Sequence, residues 1–106
     1  MATFGTNRFM SLPEVIDRLR TVFDPEIPVN VYDLGLIYDV QVIASDVYVV
    51  MTLTTATCPA AAFLPEEVRS ALENIPGVGT VHVEVTYEPR WTQDRMNAEA
   101  RAQLGF

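Results

Sequence analysis

Chemistry in this chain starts with Cys58, its one cysteine. A β-rich run over 47–54 ends shortly before it, and Pro59 with an alanine-rich, helix-like segment follows. A thiol where a strand hands over to a helix N-terminus meets unpaired backbone N–H groups and the positive end of the helix dipole. Both favour the thiolate, the form that attacks electrophiles and binds metals. Pro59 suits the first helical position, where a missing N–H costs nothing. A free cysteine also serves as a small buried hydrophobe, and position alone leaves both uses open.

Three other groups of side chains invite the same question. The hydroxyls of Thr54, Thr55 and Thr57 can hold an anion or bond to a sulfur, although threonines more often serve strands and caps. Asp24 and Glu26 stand on a proline-stiffened connector, Asp24-Pro25-Glu26-Ile27-Pro28, and can ligate a metal or orient a partner. Their commoner use is to shape a turn and face solvent. His82 alternates with valines and reads as an exposed strand residue. One cysteine and one histidine cannot close a tetrahedral zinc site within one chain. There is no Gly-rich phosphate loop, paired-histidine zinc motif or cysteine pair.

The elements that must hold these residues follow from periodicity. Residues 1–10 lack it and read as a mobile arm. Ser11-Leu12-Pro13-Glu14 is a capping box, with Met10 and Val15 as its hydrophobic staple. Leu12, Val15, Ile16, Leu19, Val22 and Phe23 then recur at helical spacing, predicting a helix that stops at Asp24 before Pro25. A turn is expected over 30–35. Strand one is expected over 36–43, with Leu36, Tyr38, Val40 and Val42 on one face. A short hairpin over 44–46 leads to a central strand over 47–54.

Pro65 disfavours a helix interior, so a helical turn over 59–63 and a main helix over 64–74 are expected, burying Leu64, Val68, Ala71, Leu72 and Ile75. Strand three, 80–86, turns Val81, Val83 and Val85 inward. From about residue 88 a tail begins, with a short polar surface helix over 94–104. The α-β-β-α-β order predicts one compact α+β domain over 11–106, its helices packed on a small mixed sheet.

Composition narrows the function classes. The chain's 106 residues suffice for one domain, and 49% hydrophobic content is enough to fill a core. Seven basic residues, all scattered arginines, against fourteen acids give a net charge of −7. That argues against a nucleic-acid-binding face. No apolar run approaches a membrane span and no secretion signal is evident. A lone cysteine fits a reducing cytoplasm.

The motifs also resemble a known family. Residues 24–37, DPEIPVNVYDLGLI, are similar to the signature of the MIP18 family, also called the domain-of-unknown-function 59 family. Thr52-Leu53-Thr54 leading to Cys58-Pro59 resembles its second block, and Ile75-Pro76-Gly77-Val78 its third. The tail, Trp91-Thr92-Gln93-Asp94-Arg95-Met96, looks like the SufT branch. Ala56-Thr57 departs from the small or glycine-containing pair often found before the cysteine. Four ordered blocks, spanning roughly 12–105, are far more specific than one.

The resemblance implies a compact α+β fold and a role in iron–sulfur cluster assembly and maturation of iron–sulfur proteins, as an accessory or carrier factor and not an enzyme. It implies Cys58 as the functional thiol, with Asp24, Glu26, Thr54 and Thr55 beside it. Partners would be the iron–sulfur assembly machinery and client apoproteins. A cluster commonly takes four thiolates, so one thiol per chain leaves two uses open: a labile cluster or iron bridged by Cys58 between the chains of a homodimer, with Asp24 or Glu26 adding oxygen ligands, or contact of Cys58 with a partner's metal or persulfide without storage, the chain itself being isolated without metal. Two alternatives accompany this: a non-catalytic adaptor for maturation of an oxygenase complex, as in a phenylacetate-degradation branch, and a cysteine-dependent enzyme.

Overall fold

The computed structural model describes residues 11–54 and 63–105. The arm expected at 1–10, the Met10 staple, all but the last residue of the helical turn expected over 59–63, and Thr55, Thr57 and Cys58 lie outside the described residues. The first helix, α1 (Leu12–Leu19), begins with the serine half of the expected capping box: Ser11 Oγ accepts from the Glu14 N–H at 3.2 Å, and Pro13 sits in the first turn. Its inner face buries Val15 and Leu19 completely, each burial contributing about 1.5–3 kcal/mol.

α1 stops about a turn earlier than periodicity predicts, with Arg20 as its C-cap. The β-branched Thr21 and Val22 are weak helix formers, and an extended alternative is at hand. Val31 donates to Val22 O at 2.8 Å, Asp24 donates to Val29 O at 3.3 Å, and Phe23 forms an isolated antiparallel bridge with Asn30. Phe23, expected on the buried stripe, is therefore exposed.

Three strands form a mixed sheet of order β1-β2-β3. β1 (Ile37–Ile43) and β2 (Asp46–Met51) are antiparallel, joined at Ala44 and Ser45, with Ala44 in the left-handed region. β2 is central, as its two-sided apolar character predicts, and β3 (Val81–Val85) lies parallel to it. A parallel pair needs a crossover, and α2 (Leu64–Glu73) lies within it. Val47, Val49 and Met51 are buried, and Val81, Val83 and Val85 share their face. Tyr48 and His82 stack on the other face with ring centroids 4.7 Å apart.

One face assignment changes. A register shift between Ile37 and Asp39 sets Ile37 opposite Met51 and Asp39 opposite Val50. The extra residue at this bulge is Tyr38, so Ile37, not Tyr38, shares the core side with Val40 and Val42. The Tyr38 hydroxyl instead donates to Pro89 O at 2.6 Å, and the Arg95 guanidinium stands 4.6 Å from its ring centroid.

α2 buries Leu64, Val68 and Leu72, with Pro65 in its first turn, where proline is tolerated. Its acids Glu66 and Glu67 suit the positive end of the helix dipole. The tail is less peripheral than expected. It forms a 3₁₀ turn (Gln93–Arg95) and then α3 (Ala98–Leu104), separated because Asn97 caps α3 by accepting from the Ala100 N–H at 2.9 Å. Met96 and Ala100 enter the core. These elements make one compact α+β domain. No helix among the described residues is long and apolar enough to cross a membrane.

Candidate functional site

Asp24 is placed by the elements that cut α1 short. Phe23 is held by its bridge to Asn30, so the chain must turn between residues 24 and 29, where Pro25 and Pro28 restrict the backbone. Asp24 closes that turn itself. Its Oδ1 accepts from the Glu26 N–H at 2.7 Å and the Ile27 N–H at 3.0 Å, the side-chain mimicry that makes aspartate a turn residue. To this extent the plain expectation for Asp24 holds.

Burial sets Asp24 apart from an ordinary turn residue. It is 2% exposed, and its second oxygen, Oδ2, is buried with no hydrogen-bond partner among the described residues. A buried acceptor left unpaired costs about 1–3 kcal/mol, and more when charged. Such an atom in a native fold calls for a donor, supplied by water, an ion or a bound group, or for a role that repays the cost. Glu26, two residues on, is exposed.

Thr54 follows β2 and is half-buried. Thr52, just before it, donates its backbone N–H to Leu36 O at 2.8 Å, while its hydroxyl oxygen is buried without a partner among the described residues. The segment carrying Cys58 runs between Thr54 and Phe63. Phe63 and Phe23 line one cleft of about 540 Å³ between the end of α1 and the start of α2. The approach to Asp24 and the start of α2 are thus neighbours. Among the described residues, no group of three or more His, Cys, Asp or Glu side chains is arranged to hold a metal ion.

A second polar centre, absent from the sequence reading, lies at Asp33, which is 5% exposed. Its Oδ1 accepts from Asn97 Nδ2 at 2.7 Å and Arg20 Nε at 3.3 Å, and its Oδ2 from Asn30 Nδ2 at 2.9 Å. Asn30 Oδ1 in turn accepts from the Asp33 N–H at 2.9 Å. Burial alone would raise the Asp33 pKa. Hydrogen bonds from Asn30, Asn97 and Arg20, together with the Arg20 charge, outweigh it and hold the carboxyl below its ordinary value. This satisfied centre fixes the turn that follows the Asp24 loop. The local Asn30-x-x-Asp33 spacing is a turn signal, but nothing local points to Asn97.

On the open side of the sheet, Asp46 Oδ1 accepts from the Thr80 N–H at 2.9 Å. The bonds from Thr80 lower the Asp46 pKa, with His82 assisting through its charge. His82 Nε2 lies 3.1 Å from Thr80 Oγ1. This cluster ties the β1–β2 hairpin to the entry of β3 and reads as structural.

Residues 13–85 match the family model described as iron–sulfur cluster assembly protein. An Fe–S protein maturation auxiliary factor of Porphyromonas gingivalis is 55% identical over 102 residues, covering 94% of this chain and 97% of the relative. The Fe–S protein maturation auxiliary factor SufT of Staphylococcus aureus is 36% identical over 85 residues, covering 79% of this chain and 97% of that protein. The crystal structure of a domain-of-unknown-function 59 protein from Bacillus anthracis superposes with a TM-score of 0.82 at 33% identity, covering 89% of this chain and 91% of that one.

Proposed function

Because the chain belongs to the iron–sulfur cluster assembly protein family, we propose that it serves the maturation of iron–sulfur proteins as an accessory factor that handles iron or a labile cluster as cargo. It does so by ligand exchange, without substrate turnover of its own. The carrying observation is Asp24, a shielded carboxylate with one oxygen committed to the turn and the other unengaged among the described residues. The turn holds the carboxylate, so the second oxygen is presented without reorganisation.

The division of labour follows from ligand chemistry. Cys58 is the soft donor and must lose its proton to ligate. Asp24 is the hard oxygen donor, with Glu26 as an exposed second carboxylate. Thr54 and Thr55 serve as hydroxyl donors that tune the sulfur. One thiol per chain is far below the usual thiolate complement of a cluster. Two chains related by a two-fold axis double it, and a client's own cysteines complete it on delivery. Weak, incomplete ligation suits a factor that must release what it carries. The assembly machinery and client apoproteins are its partners, and the reducing cytoplasm its setting.

Anaerobic reconstitution of the full chain with iron and sulfide, followed by native mass measurement, tests this. The expected result is iron bound to a dimer and lost in Cys58→Ala. A monomer carrying a complete cluster would overturn the bridged arrangement. A Cys58→Ala protein that matures clients at the full rate would overturn the thiol's role.

A further inference from the structure

The cleft beside the Asp24 loop has a chemistry of its own. Val22 and Phe23 form one wall, Phe63, Glu66, Glu67 and Ser70 the other, around about 540 Å³. Phe23 is 52% exposed and Phe63 40%. Half-wetted phenylalanines forgo much of their burial free energy, and aromatic anchors dominate docking energetics. Arg69, the one cation on α2, is half-buried, and its shielded Nε reaches Glu66 Oε2 at 3.7 Å, too far for a hydrogen bond. Glu67 has no ion-pair partner among the described residues. The cleft is apolar at its walls and negative along one side.

We propose that this cleft docks an amphipathic helix of a partner protein, with apolar side chains over Phe23 and Phe63 and an Arg or Lys against Glu66 and Glu67. A helix laid apolar face down in a groove is a recurrent recognition mode. Charge selects the occupant. An anionic membrane or a nucleic acid would meet two carboxylates and a chain of net charge −7. A second copy using the same face would set glutamates against glutamates. A basic partner gains on both counts. The maturation reading supplies the reason for a partner to come here, since Asp24 follows Phe23 directly, but recognition in the cleft uses neither Cys58 nor Asp24.

The test uses the isotope-labelled full chain and an amidated peptide of about 14 residues, roughly four helical turns. Leucines form its apolar stripe and arginines flank it; a control peptide carries glutamate for each arginine. Backbone resonances of Val22, Phe23, Phe63 and Ser70 should shift with the basic peptide only. Glu66→Gln/Glu67→Gln should weaken binding about threefold and flatten its salt dependence. Phe23→Ser/Phe63→Ser should weaken it at least tenfold, with the spectrum elsewhere unchanged.

Equal binding of the acidic peptide, shifts centred elsewhere, or an unaffected Glu66→Gln/Glu67→Gln protein would overturn the proposal. So would self-association abolished by the phenylalanine substitutions, which would make a second copy the occupant. Iron uptake separates this proposal from the maturation reading. Glu66→Gln/Glu67→Gln should bind the peptide about threefold more weakly and keep iron, while Cys58→Ala should lose iron and keep peptide.

Discussion

Asn97 donates its side-chain amide to Asp33 Oδ1 across 2.7 Å, joining residues 64 positions apart. The backbone repeats the link, with the Asn97 N–H donating to Asp33 O at 3.0 Å. One residue thus caps α3 and fastens the tail to the turn after the Asp24 loop. Asn97→Ala removes the cap, worth about 1 kcal/mol, and leaves Asp33 short of a donor, about 1–3 kcal/mol more. Chemical denaturation should show a loss of about 2 kcal/mol or more. A change below about 0.5 kcal/mol, the range of ordinary surface substitutions, would show that the Asn97 side chain does not hold the tail.

The same centre sets an acid limit. The folded Asp33 pKa is lowered because hydrogen bonds from Asn30, Asn97 and Arg20, with the Arg20 charge, overcome the opposing effect of burial. The unfolded chain therefore takes up this proton first as pH falls. The stability Asp33 contributes is fully present above an ordinary aspartate pKa, about 3.9. It is lost as pH drops from there through the lowered folded value. Trp91, the chain's one tryptophan, reports on the tail because its Nε1 donates to Leu34 O at 2.7 Å. Denaturant unfolding followed by its emission should show that the stability from this residue is kept from neutral pH down to about 4 and lost below it, and Asp33→Asn should remove that part of the acid dependence.

Gly35 makes a different demand on the same junction. Its φ is +82°, and a Cβ there would overlap the backbone carbonyl of Arg95. Gly35→Ala therefore combines backbone strain of about 1 kcal/mol with a clash that flexible side chains cannot relieve. It should destabilise the fold by more than about 2 kcal/mol and shift Trp91 emission under native conditions. Gly77 is also at positive φ, +87°, but a Cβ there would meet nothing within 4 Å. Gly77→Ala should carry the strain alone, so equal effects at the two sites would contradict the account.

What could be read from sequence was what local chemistry decides. The Ser11 cap, the inward valines of β3 and the Leu64-Val68-Leu72 stripe depend on neighbours a few residues away, and all stand in the structure. Errors arose where a distant strand competed with local periodicity. Phe23 has helical spacing, yet Asn30 captures it in a bridge. Tyr38 has strand alternation, yet the register shift opposite β2 turns it away from the core. The Asp33 centre was not legible because its partners come from α1, its own turn and the tail. For Asp24, the carboxylate's turn role was visible in the proline-flanked spacing, while its burial depends on packing no local pattern records.

Asp24 offers the clearest separation of stability from function. Asp24→Asn keeps an Oδ1 acceptor for the Glu26 and Ile27 N–H groups and removes a buried charge whose second oxygen has no partner among the described residues. Relief of that desolvation should offset the weaker bonds, leaving stability within about 1 kcal/mol of the parent or above it. Asp24→Ala opens the turn and should cost about 1–2 kcal/mol. Both should lower iron retention after anaerobic reconstitution, since a neutral amide oxygen lacks the negative charge that a carboxylate brings to a cation and alanine brings no donor at all. The proposed role requires that Asp24→Asn be stable and deficient. An Asp24→Asn protein that retains iron as the parent does would reduce Asp24 to a turn-former, and one that unfolds would place its importance in the fold.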